Sequence, residues 1–150
     1  AQKSRPAVYQ DVLGEWKMTY QVVDPKVKNN ESLFFAENQI WSFSDDRYVK
    51  NIASNKTLDL SEVIIYLNTM PKQTKFSFVE DGLFKIERSQ NNVDTIVISI
   101  ITEDMVTSLR NNAPLLKKGD LILSYMAPWK QPYMQRFLER IEIPDLKAEK

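Results

Sequence analysis

Residues 13–22, LGEWKMTYQV, set a glycine and a tryptophan one residue apart and then alternate. Trp16, Met18, Tyr20 and Val22 fall on one side of the alternation, and Lys17, Thr19 and Gln21 on the other. A period of two with one apolar and one polar face describes a half-buried β-strand. The chain holds only three glycines, so one placed at the mouth of a strand points to a sharp backbone entry.

Upstream, residues 4–14 (SRPAVYQDVLG) read as one short helix. Ser4 serves as its N-cap, Pro6 lies in the first turn and Gly14 stops it. Downstream, strand-sized segments recur with turn signals between them. Residues 39–44 (QIWSFS) put Trp41 and Phe43 on one face, and residues 47–54 (RYVKNIAS) follow the Asp45-Asp46 turn. Residues 32–35 (SLFF) add a further apolar piece. Residues 58–70 (LDLSEVIIYLNTM) fit either a helix or a strand, and the β-branched run Val63, Ile64, Ile65 favours a strand.

The second half alternates more cleanly. Residues 74–79 and 83–89 flank Glu80-Asp81-Gly82, a hairpin signal. Residues 94–101 place Ile96, Ile98 and Ile100 on one face. Residues 105–110 and 121–126 are strands on either side of a polar loop, NNAPLLKKGD. In residues 132–141 (PYMQRFLERI), Met134, Arg136 and Leu138 share a strand face, while Met134, Phe137, Leu138 and Ile141 also fit a helix face. These segments predict an all-β protein: one domain over residues 1–150, an antiparallel up-and-down barrel of about eight to ten strands with a short N-terminal helix.

A short helix, then Gly14-x-Trp16 opening the first strand of an antiparallel barrel, resembles the lipocalin (calycin) pattern. The layout DGLFKIERSQNNVDTIVISIITEDMVTSL…DLILSYM…YMQRF is similar to bacterial lipocalin-like domains. The resemblance implies that Trp16 closes the barrel floor beside the helix. It also implies an arginine on the indole ring, with Arg136 as the first candidate and Arg140 as the alternative.

Composition narrows the chemistry. Basic and acidic side chains number 20 each, and this balance lacks the basic excess that nucleic acid binding leaves. No apolar run reaches the length of a membrane span. With neither histidine nor cysteine, the usual nucleophilic triads and thiol sites cannot be built. Zinc and transition metals lose their best ligands. Asp45-Asp46 and Glu103-Asp104 read as solvated turn residues. A thioether copper site from Met126 and Met134 gives way to the commoner role of methionine as gap filler. The expectation is a non-enzymatic protein with no metal and no cofactor.

Aromatic and aliphatic side chains on strand faces point instead to a cavity. An eight-stranded barrel is just wide enough for one small ligand. Met18, Tyr20, Trp41, Phe43, Ile98 and Tyr125 are the expected ligand-binding residues, and the ligand is expected to be small and apolar or amphipathic. The competing expectation is a filled barrel, an envelope lipoprotein or other interaction module that binds a protein through its rim loops. Trp129 and Tyr133, set among prolines in SYMAPWKQPYMQRF, are the expected contacts for such a partner. The Ala1-Gln2 start fits either a mature chain after signal-peptide removal or a chain trimmed at its N-terminus, and suits signal cleavage. The expected location is therefore the periplasm or the exterior, with lipid anchoring through an upstream cysteine left open.

Overall fold

A computed structural model describes residues 3–23, 36–89, 91–106, 115–126 and 132–143. In chain order the elements are β1 (Ser4–Pro6), α1 (Tyr9–Val12), β2 (Gly14–Val23), β3 (Asn38–Phe43), β4 (Tyr48–Ser54) and α2 (Leu60–Thr69). There follow β5 (Thr74–Glu80), β6 (Leu83–Ser89), β7 (Asn92–Ile101), β8 (Met105–Val106), β9 (Leu115–Leu116), β10 (Leu121–Met126) and β11 (Pro132–Ile141). Eight strands close a barrel in the order β2, β3, β4, β5, β6, β7, β10, β11, and β11 pairs back to β2. Every pairing is antiparallel. This is the up-and-down barrel that the alternating segments predict. The short β8–β9 pair stands outside the barrel sheet.

The N-terminus differs from the expected single helix. Ser4–Pro6 is an extra strand that pairs with Ser99–Ile101, on the edge of β7 that continues beyond its pairing with β6. Pro6 is thus an edge-strand residue, where its missing N–H disturbs no interior ladder. The helix is only Tyr9–Val12. Ser4 does not cap it; the Asp11 carboxylate accepts a hydrogen bond from Val8 N at 2.9 Å.

The middle of the chain also departs from the expectation. Residues 60–69 form a helix, α2, not a strand. Asp59 caps it by accepting from Ser61 N at 2.9 Å, an interaction that satisfies one orphan N–H of the first turn. Val63 and Leu67, four residues apart, form its buried stripe. They pack on Ile40 and Ile52, which point outward from paired positions on β3 and β4. Tertiary burial thereby overrides the strand preference of the β-branched run. At the helix C-terminus Lys50 Nζ donates to Leu67 O at 2.7 Å, placing a cation on an orphan carbonyl.

A third difference lies within β2. Its register against β11 slips between Phe137↔Tyr20 and Leu138↔Met18, so Thr19 is an extra residue and the strand carries a bulge. A bulge reverses which parity faces inward. Trp16 and Met18 point into the barrel, and beyond the bulge the inward face passes to Gln21 and Val23, opposite Arg136 and Met134. Tyr20 consequently lies outside the barrel, against Phe137 with ring centroids 5.7 Å apart. It belongs to a small outer cluster with Ile101, Leu116 and Ile122.

One end of the barrel is plugged. Trp16 is completely buried, and its Nε1 donates to Val12 O at 2.9 Å. Arg140, not Arg136, covers the ring: its guanidinium carbon is 4.2 Å from the ring centroid. The same guanidinium donates to Leu13 O at 2.9 Å and to Asp11 O at 3.2 Å, tying the last strand to the end of α1. Gly14 makes room for it. Gly14 has φ +123°, and a Cβ there would lie 2.4 Å from Arg140 Nη1. Ala7, Val12, Phe43, Phe76, Phe84 and Ile98 belong to the same apolar core as Trp16.

Candidate functional site

Outside the segment that the plug fills, β4 and β5 separate. They pair only at Tyr48↔Lys75 and Val49↔Thr74, and α2 with its exit segment occupies the chain between them. The divergence opens a cleft of about 320 Å³ into the barrel. Asn51 and Ala53 of β4 line it from one side and Met70, Pro71, Gln73 and Thr74 from the other. Trp41, Ile86, Tyr125 and Arg136 line its interior. A volume of this size is at the lower end of small-molecule sites.

The cleft combines apolar walls with a polar interior. Arg136 is 3% exposed. Its Nη1 donates to the Tyr125 hydroxyl at 2.7 Å, and its guanidinium carbon lies 4.9 Å from the Tyr125 ring centroid and 5.4 Å from that of Trp41. Burial pushes the Tyr125 phenol up to about 12, so it stays protonated at neutral pH and receives the guanidinium as a neutral acceptor. The Trp41 indole donates to Gln39 Oε1 at 3.1 Å. The Gln39 amide in turn donates to Ala36 O at 3.0 Å. Nearby, Arg88 and Asp94 form an ion pair of 2.5 Å. These contacts fix the orientations of the polar groups in and beside the cleft.

The six expected ligand-binding residues therefore divide three ways. Trp41 and Tyr125 line the cleft. Met18, Phe43 and Ile98 face inward but lie in the apolar core and not along the cleft. Tyr20 is on the outer side, displaced by the β2 bulge. Trp129 and the Tyr133 side chain fall outside the described residues.

Of the two arginines that the resemblance offers for the Trp16 ring, the alternative, Arg140, occupies it, and Arg136 lies instead beside Trp41 in the cleft. The signal was present: Arg136 shares a strand face with Met134 and Leu138, and an arginine on an otherwise apolar face is a buried charge that needs partners. Asn51, Arg88 and Asp94 had no such mark, because their place depends on the separation of β4 from β5.

Among the described residues, no group of three or more acidic side chains is arranged to hold a metal ion. No helix among them is long and apolar enough to cross a membrane. Comparison with protein-family models, with curated proteins and with solved structures gave no match to this chain.

Proposed function

We propose that the chain is a non-enzymatic, lipocalin-like binding protein that holds one small amphipathic ligand in the barrel cleft, and that it works in the periplasm or outside the cell. The observation that carries this reading is the cleft of about 320 Å³ between β4 and β5. Apolar walls from Val49, Ile86 and Met70 meet fixed polar groups on Asn51, Tyr125 and Arg136 there, the mixture that distinguishes ligand sites from plain core. The competing reading, an interaction module with a filled barrel, draws support from the packed end, where Phe76, Phe84 and Ile98 are each about 1% exposed. That packing stops short of the cleft, which favours a ligand.

Amide chemical-shift mapping with 1-octanol, a neutral amphipathic probe, tests the proposal. The expected shifts cluster at Asn51, Ala53, Thr74 and Ile86 and saturate. Shifts that are absent, or scattered over the outer surface without saturation, would transfer the assignment to the interaction module.

A further inference from the structure

One wall of the cleft is a strand edge. The hairpin of β3 and β4 sets the direction in which each β4 residue turns its backbone groups. Ser44 N donates to Tyr48 O at 3.0 Å, so Tyr48 faces β3, and in the same register Lys50, Ile52 and Ser54 do too. Val49, Asn51 and Ala53 alternate with them and turn their N–H and C=O groups towards β5. The bond from Phe76 N to Arg47 O, 2.9 Å long, shows the same alternation one step earlier. Val49 has Thr74 opposite it, and the pairing of β4 with β5 ends there. Among the described residues, no backbone hydrogen bond crosses the gap from Asn51 or Ala53.

Backbone groups with no ladder partner are ready donors and acceptors, and adding a strand to such an edge is a recurring mode of peptide recognition. A residue of an extended peptide satisfies both groups at once, because its own N–H and C=O lie on the same side of the chain. Paired residues also put their side chains on the same face of the sheet. Asn51 is the partner of Trp41, which belongs to the inner core. A guest residue opposite Asn51 therefore sends its side chain inward, to the apolar surface of Val49, Trp41 and Ile86.

We infer that the ligand is a short extended peptide segment that adds antiparallel to the edge of β4, pairing with the backbone of Asn51 and Ala53. Those two residues span roughly 7 Å of strand, so the paired segment is about three residues long. It takes the place that β5 would fill if its pairing with β4 continued beyond Thr74. This inference rests on the reading of the cleft as a ligand site. It adds the class of ligand, the groups that read it and the direction in which it lies.

The probe is the capped peptide acetyl-Ala-Thr-Leu methylamide, with its leucine opposite Asn51 and its alanine opposite Ala53. Three analogues each replace one N–H, that of the alanine, threonine or leucine residue, by an ester oxygen. Isothermal titration of the full chain at pH 7 compares all four with 1-octanol. The alanine and leucine esters are expected to bind about two- to tenfold more weakly than the parent, the worth of one neutral hydrogen bond. The threonine ester is expected to bind as the parent does, since that N–H points away from β4. Amide exchange at Asn51 and Ala53 should slow in the complex with the parent. Any other pattern of losses, or unchanged exchange at both residues, would overturn strand addition. Binding of octanol without binding of the peptide would overturn it too and leave the cleft as a ligand site. Binding of neither would overturn both.

Discussion

The Arg140 guanidinium lies 4.2 Å over the ring of Trp16, and the two residues are direct cross-strand partners of β11 and β2. This pair fastens the ends of the barrel sheet at its floor. Arg140 also holds the carbonyls of Asp11 and Leu13, so one side chain joins first strand, last strand and plug. The pair explains why a glycine and a tryptophan stand so close in the sequence. The tryptophan fills the floor, and the glycine leaves space for the arginine that covers it.

Trp16→Ala is expected to cost about 3–5 kcal/mol, the usual loss on emptying a buried aromatic site. Arg140→Ala should cost less, with about 0.5–1 kcal/mol from the ring contact, since the arginine itself is solvent-exposed. Because the residues touch, the double mutant should lose less than the sum of the two. Urea melts of the four proteins measure the difference, and strict additivity would show that the contact carries no energy.

Gly14→Ala tests the space beneath the guanidinium. A positive φ strains any residue with a Cβ, at about 1–3 kcal/mol, and the clash with Arg140 adds to that. The same substitution in an Arg140→Ala background should therefore cost less than in the wild type. Equal cost in both backgrounds would mean that backbone strain alone sets the requirement for glycine.

Most of the barrel was legible because its signals are local. Alternation in residues 94–101 and 121–126, and Asp81-Gly82 at a hairpin where Gly82 adopts φ +81°, each specify structure over a few residues. The misses have a common cause in long-range packing. Residues 60–69 are helical because Ile40 and Ile52 offer an apolar seat on the outer barrel wall, although the Asp59-x-x-Glu62 spacing already carried a helix-start signal. The bulge at Thr19 is set by pairing with β11, and one such residue was enough to move Tyr20 out of the barrel. The cleft could not be read at all, since it arises where two strands fail to pair.

Stability should fall in acid partly through Asp11. The Arg5 hydrogen bond, above all, holds its carboxyl below the usual carboxylate range, and the bond from Val8 N acts in the same direction. Its contribution is thus fully present above the unfolded value, about 4, and is lost as pH falls through the lower folded value. Asp11→Asn should flatten the stability profile below about pH 4 relative to wild type. Parallel profiles in urea melts across that range would show that the ion pair with Arg5, 2.8 Å in length, has no influence on folding.

The central claim is that the cleft between β4 and β5 is where this protein binds, and blocking it is the most direct test. Ala53 lines the cleft on the inner face of β4, and Ala53→Phe places a ring in the space without disturbing the Trp16 floor. Titration of the wild type and of Ala53→Phe with 1-octanol, beside a thermal melt of each, is the measurement. The account predicts a cooperative melt for both proteins and binding by the wild type alone. A folded Ala53→Phe protein that binds octanol as the wild type does would contradict it.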